Sequence, residues 1–414
     1  MSSGNTNRRG FLKASTFAMG YALVAGAEEK KIDAPKVIPE ASETKYWMHG
    51  INGDTPQDTA QELHDAGFNV VVAGGDTVIE AVKNAGMESW LCGGGFPLVR
   101  DDDAIKAIDI MGAPQKWFGS GSPNSPEVRE ASVKSYEEMV KTEGITGILV
   151  DGCRFASPAS GLMPFLTDFS AHSSAKADAL GFDFSLMKRD VARLHKTLTG
   201  AEDAEKRSIE WLSKPVGIAE WLVEHPGVVE WLRFRRVCST EHFMTLAEII
   251  HGAGLRMGVY IFSPCIAPLV GQSYEDLRSF VDVFAPMIYR NYPKDPGPAC
   301  LNWELTELPQ ELGVAGTPSE QPVMDMIMEW TGFSDLPVEH SVEAVRKALP
   351  PGAVGLETQR ARDLIGGKEL APIIYIDDPE MAVTAQQVRD AGADGVNFFV
   401  FKEKWADMVR PAFV

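Results

Sequence analysis

Short apolar runs that recur along the chain, each leading into a helical stretch that stops at glycine, constrain the fold more than any other feature. The first is Tyr46-Trp47-Met48-His49; Thr55-Pro56 then opens a helix to Asp65, closed by Ala66-Gly67. Phe68–Ala73 follows, with a helix over Thr77–Asn84 ending in Ala85-Gly86, and then Met87–Cys92. The same reading places strands at Ile145–Val150, Leu255–Ile261, Val281–Ile288, Pro372–Ile376 and Gly395–Val400. None alternates strictly between apolar and polar residues, so each has to be covered on both faces. Parallel strands sandwiched by helices meet that condition. Eight such units in 414 residues predict an α/β fold, a closed (β/α)8 TIM barrel, where an open doubly wound sheet usually has about five or six strands.

Two excursions interrupt the rhythm. Between the fourth and fifth strands lies a helical insertion with Glu-Trp-Leu triplets starting at 210, 220 and 230, separated by Pro215 and Pro226. They read as short helices of a cap packed by a tryptophan cluster, with sugar-stacking platforms as the alternative. A proline-rich stretch from Tyr292 to about Glu339 is expected to form a second loop wall.

Ahead of the first strand, Asn7-Arg8-Arg9-Gly10-Phe11-Leu12-Lys13 leads into a weakly apolar run, Ala14 to Val24, and a small-x-small site at Ala25-Gly26-Ala27. This is the pattern of a twin-arginine signal peptide over 1–27, exporting the chain to a periplasmic or extracellular space. The run is too short to span a hydrocarbon core of about 30 Å, so no membrane anchoring is expected in the mature form. Residues 28–44 read as an unpatterned leader, and 45–414 as the barrel domain.

Composition narrows the partners. A formal charge of −19 argues against nucleic acid and anionic lipid, which demand a positive surface. The five cysteines form no Cys-x-x-Cys pair, so neither a zinc ribbon nor a thioredoxin-type site is visible. Cys92 and Cys153 each follow a strand and could pair in an oxidising compartment; buried free thiols are the other reading. The histidines lack ligand spacing and no metal site is expected. A nucleophile elbow, a P-loop and a dinucleotide fingerprint are absent, so no cofactor is predicted.

Barrel enzymes carry their reacting groups at the carboxyl ends of the strands. Here those ends hold His49, Asp151-Gly152-Cys153-Arg154, Tyr289-Arg290-Asn291 and Asp377-Asp378. Asp378 and Asp54 read as helix caps. Asp151 follows a wholly apolar run and is the first-choice catalytic carboxyl; Arg154 would hold it ionised, or a dry pocket would leave it protonated. His49 and Tyr289 are candidates for hydrogen bonds to substrate, Arg154 for orienting Asp151 or binding an acidic group, and Trp117 for a stacking platform or a core tryptophan.

The segment Gly144-Ile-Thr-Gly-Ile-Leu-Val-Asp-Gly-Cys-Arg-Phe-Ala-Ser-Pro158 resembles the fourth-strand region of glycoside-hydrolase-like barrels, as Pro123-Asn-Ser-Pro-Glu-Val-Arg129 resembles the helix that introduces it. Ala285-Pro-Met-Ile-Tyr289 and Gly297-Pro-Ala-Cys-Leu-Asn-Trp-Glu304 extend the likeness over most of 45–405. A more distant resemblance is to the family eighteen chitinases: Asp151 matches the last aspartate of their fourth-strand run and Tyr289 their sixth-strand tyrosine. Cys153 stands where their proton donor would be, so their substrate-assisted reaction is not expected here. The resemblance implies a carbohydrate substrate.

Glycoside cleavage ordinarily uses two carboxyl groups roughly 5 to 9.5 Å apart. Glu304, beside Trp303, is the leading second acid; Trp303 offers an apolar wall and a face for a sugar ring. Glu357 and then Asp377 follow. Each has a plainer role: a loop salt bridge for Glu304, a helix first-turn acid for Glu357, a cap for Asp377. Two rivals stand beside hydrolysis. Gly392-Ala-Asp-Gly-Val396 is similar to phosphate-sugar barrels, but Asp377-Asp378 would repel phosphate. A barrel that binds carbohydrate without cutting it is the main alternative.

Overall fold

The computed structural model describes residues 44–200, 215–293 and 299–413. The proposed signal peptide, nearly all of the leader and the Glu210-Trp211-Leu212 triplet lie outside the described residues. Eight parallel strands form the barrel: β1 Lys45–His49, β2 Val70–Val72, β3 Glu88–Gly94, β4 Gly147–Asp151, β5 Arg256–Phe262, β6 Val283–Met287, β7 Ile373–Tyr375 and β8 Gly395–Phe399. Each pairs in parallel with the next. The ring closes where β8 pairs with β1, Lys45 opposite Gly395 and Trp47 opposite Asn397. A two-residue strand, Glu369–Leu370, adds to β6 just before β7.

Helices cover the outside, and several of the long ones begin on a proline, among them Pro56–Asp65, Pro126–Met139, Pro226–Gly252 and Pro351–Ile365. A proline there is pre-set for helical φ and surrenders an N–H that would have had no partner. The consequence reaches the insertion. Glu220-Trp221-Leu222 lies in the short helix Pro215–Glu224, as expected, and Pro226 then starts the 27-residue helix that returns to β5, so Glu230-Trp231-Leu232 belongs to that helix's first turns instead of a short one.

Between β4 and this helix stand helices Leu162–Phe165, Ala171–Leu180, Phe184–Thr199 and Pro215–Glu224. They share a second core of Phe155, Phe165, Leu166, Met187, Val191, Trp231 and Phe234. Of the expected tryptophan cluster, Trp211 lies outside the described residues; Trp231 is in this core with Trp221 packed at its edge, and Trp231 is held by a cation. Arg235, buried, stacks 3.8 Å over Trp231, and its guanidinium donates to the carbonyls of Thr167, Phe165 and Leu269. Trp221 stacks instead on His225. The second excursion is also helical where described, with helices Leu301–Glu304, Glu307–Glu311 and Glu320–Thr331, rather than a loop wall.

Contacts between strands that are not neighbours can only pass through the barrel interior, and they identify the inner face. Trp47 of β1 meets Trp90 of β3 with ring centroids 5.2 Å apart. Gly147 and Gly258 on β4 and β5 make room for them. A Cβ on Gly147 would lie 2.5 Å from the Trp90 ring, and one on Gly258 would lie 3.3 Å from it. Two indoles therefore plug the lower barrel. Because strand side chains repeat every second residue, the layer above comprises His49, Cys92, Leu149, Tyr260 and Asn397, with Asp151 and Phe399 at the rim.

Candidate active site at the barrel mouth

His49 and Tyr260 span this upper layer. His49 Nδ1 lies 2.8 Å from the Tyr260 hydroxyl, joining β1 to β5 across the barrel. Phe399 packs 5.1 Å from the His49 ring and 5.4 Å from Tyr289, and an arc of rings continues through Tyr292 to Tyr375. Asp151 faces this arc from the end of β4. It is half-buried, and its Oδ1 accepts the Gly152 N–H at 2.7 Å.

One cause dominates the electrostatics of the mouth, the loss of water around its walls. Burial raises the Asp151 carboxyl above its ordinary range, opposed by the Gly152 N–H and by the charge of Arg154. Burial also lowers His49 to about 4, so the imidazole is neutral at physiological pH. The hydroxyls of Tyr260 and Tyr289 are pushed well up by burial, with the Asp151 charge adding to each. The Asp151 charge thus reaches both tyrosines, and His49 joins them through its hydrogen bond to Tyr260.

Arg154 turns away from the rim. It is buried, stacks 4.8 Å over Phe262 and donates to the Phe155 carbonyl at 3.0 Å. Burial lowers it to about 10, with Glu304 and Asp151 pulling the other way. It biases Asp151 by its field, and no ion pair closes between the two. Glu304 sits behind it, buried, and accepts from Ser157 Oγ at 2.8 Å, the Ala159 N–H at 2.9 Å and the Ala299 N–H at 3.3 Å. These bonds stitch the loop after β4 to the segment after β6. Glu304 is placed to hold the loops of the mouth together rather than to meet a ligand.

Glu357 lies on the outer helix Pro351–Ile365, fully buried, paired with Arg360 and accepting the Cys265 N–H. The structure does not bring it to Asp151. Asp377 stays at the rim, ion-paired with Lys402, whose ammonium lies over the Tyr375 ring. Trp303 donates its Nε1–H to the Tyr292 carbonyl at 3.0 Å and carries Arg346 on one face at 4.2 Å, so that face is closed to a sugar. Trp117 is buried with Ala107 and Ala156 and takes the core role. Asp378 does more than cap: buried, it receives Arg290 Nε at 2.7 Å together with the Glu380 N–H and the Thr384 hydroxyl.

None of the five cysteines forms a disulfide. Cys92 is exposed toward the mouth, whereas Cys153 is buried against Gly95, with Sγ directed to the Ser239 carbonyl, so the two do not form the disulfide considered above. The position equivalent to the chitinase proton donor is therefore a packed thiol.

Tyr260, Asn397, Tyr292 and Phe399 are site residues the sequence reading did not single out. Tyr260 and Asn397 sit two residues beyond Gly258 and Gly395, so an inner face read by period two from the small residues would have found them. At the opposite, N-terminal end a cleft of about 630 Å³ opens beside Lys45, His64 and Glu88. That end of a barrel serves stability rather than reaction.

Fold and mouth together define a (β/α)8 barrel protein with a half-buried carboxyl facing an aromatic arc. No protein-family profile and no curated protein matches the chain. It is similar to the PgaB (BpsB) glycoside hydrolase domain from Bordetella bronchiseptica, with 13% identity, 89% of this chain and 97% of that chain covered, and a TM-score of 0.48. It is similar to the catalytic domain of beta-amylase from Paenibacillus polymyxa at 13% identity, over 86% and 92%, with a TM-score of 0.46. A chitinase from Rhizomucor miehei gives 11% identity over 89% and 98%, with a TM-score of 0.37. The chemistry below is read from this chain's own residues.

Proposed function

We propose that this barrel is an exported glycosidase-like enzyme that takes a saccharide at its mouth and uses Asp151 as the proton-handling carboxyl. The observation that carries the reading is the placement of Asp151: half-buried at the end of β4, raised by desolvation, and set among a neutral imidazole and two tyrosine hydroxyls. A carboxyl shifted upward is suited to protonate a leaving oxygen, and hydroxyls and ring faces suit the mixed polar and apolar surface of a sugar. Asp377, the other acid at the rim, is the proposed second carboxylate, ion-paired with Lys402. Export by the twin-arginine route is proposed from Arg8-Arg9 and the apolar run after them.

The test is Asp151→Asn assayed against aryl glycosides and natural polysaccharides. Turnover is expected to vanish while stability stays within about 1–2 kcal/mol, since the side chain packs little. Undiminished turnover removes Asp151 from the mechanism.

A second reading, carbohydrate binding without cleavage, is favoured by the occupation of Glu304 and Glu357 in loop and helix contacts. Retardation on a glycan gel with no release of reducing ends would select it.

A further inference from the structure

The segment after β3 leaves the barrel beside Asp151 and returns to Asp151's own loop. Gly95 donates its N–H to the Asp151 carbonyl at 2.6 Å, and buried Trp117 packs on Ala156, in the loop that follows Asp151. There the chain turns at Trp117-Phe118-Gly119-Ser120, closed by the Ser120 N–H on the Trp117 carbonyl at 2.9 Å. The Leu98 N–H on the Gly119 carbonyl at 2.7 Å and the Gly121 N–H on the Phe96 carbonyl at 3.0 Å tie the turn to the start of the segment.

Both central residues of the turn are left-handed, with φ of +44° at Phe118 and +69° at Gly119. Two-residue turns of this kind favour Asn-Gly, because a Cβ in the left-handed region crowds the backbone. Phenylalanine suits the position only if its ring gains from packing. Exposure denies it that: Phe118 is 70% exposed, whereas Trp117 beside it is 5% exposed. The fold thus holds an anchored ring outward, in a conformation asparagine would adopt more easily, on the face of the barrel that carries reacting groups.

The surroundings of the ring indicate what it can hold. The Pro97–Ser120 bridge brings Val99, 47% exposed, opposite Phe118, and the exposed ion pair of Lys116 and Asp101 stands alongside. A stable protein interface buries about 800 Å² on each side. One ring and one valine bordered by charges fall short of that. A single sugar ring, apolar on its face and edged with hydroxyls, matches both the size and the polarity.

We propose that Phe118 is a binding residue, a platform on which a sugar ring of the ligand stacks outside the position served by Asp151. This rests on the reading of the mouth as a saccharide site and narrows the ligand to a chain of two or more sugars, one at Asp151 and another on Phe118.

The experiment is affinity electrophoresis of the full chain in native gels cast with laminarin, xylan, soluble starch or glycol chitosan, read beside thermal unfolding. One of these polymers is expected to retard the wild type. Phe118→Asn should weaken that retention about fivefold or more, and Phe118→Trp should keep it. Phe118→Asn should also raise the thermal midpoint, because asparagine tolerates the left-handed turn better than phenylalanine does. Equal retention of wild type and Phe118→Asn, or a lowered midpoint in that variant, overturns the inference and leaves the saccharide reading standing. Self-association of the wild type in sedimentation that Phe118→Asn abolishes also overturns it, by assigning the ring to a second copy. A wild type that none of the polymers retards removes the saccharide reading and this inference with it.

Discussion

Replacing Glu304 by glutamine probes how the loops of the mouth are held. The Glu304 carboxyl is 4% exposed and takes three hydrogen bonds, all from neutral donors, while Arg154 lends its field without closing an ion pair. Burial outweighs these and raises it to about 7, against 4.5 for an ordinary glutamate. The folded protein therefore holds this proton longer than the unfolded chain. The stability that protonation contributes is fully present below about pH 4.5 and is lost as pH rises through about 7. Between pH 5 and 8 the loss amounts to roughly 2–3 kcal/mol. Glutamine cannot ionise and escapes this loss, although its amide turns an N–H toward one of the donors at a pH-independent cost of about 1–3 kcal/mol. Urea unfolding of both proteins from pH 5 to 8 should show the variant less stable at pH 5 and the gap closing or inverting by pH 8. A gap constant to within about 0.5 kcal/mol would mean that the three donors keep Glu304 ionised throughout, and the desolvation argument would fail.

Three other outcomes follow from packing and charge. Gly147→Ala places a Cβ 2.5 Å from both the Trp90 ring and the Arg256 carbonyl, and should destabilise by about 1–3 kcal/mol or more, read as a lowered thermal midpoint. Trp90→Phe in the Gly147→Ala chain should recover part of that loss. Arg290→Met leaves the Asp378 carboxylate buried without its partner and should cost about 3–5 kcal/mol in urea unfolding, while adding Asp378→Asn restores much of it.

The barrel was legible because its physics is local. A strand covered on both faces cannot alternate, so Val70–Val72 and Val283–Met287 stand inside longer apolar runs, and the expected strands begin up to two residues early. Pro226 marks a helix boundary as expected, but the length of the helix it opens, 27 residues, is set by packing against the barrel and cannot be read from the proline itself. At the mouth, His49, Asp151 and Tyr289 announce themselves as polar groups at the ends of apolar runs. Tyr260 and Asn397 do not, because they sit within those runs and come to face the mouth residues only when the ring closes and opposite strands face each other.

The acids show where sequence reasoning has to stop. Asp151, Glu304, Glu357 and Asp377 are alike in a sequence, yet what a carboxyl does depends on how many donors the fold aims at it. Glu304 draws three and Glu357 an arginine and a backbone N–H, supplied by segments as far apart in the chain as Ser157 and Cys265. Both are thereby committed to tying loops and helices together. Asp151 receives only the N–H of its own neighbour, and Asp377 the ammonium of Lys402 with the Tyr375 hydroxyl beside it. A carboxyl with unspent acceptor capacity in a water-poor mouth gains most from a ligand's hydroxyls and protons. That difference in occupancy, rather than proximity to tryptophan or position in a motif, separates the acids left open to a ligand from those that hold the barrel's loops in place.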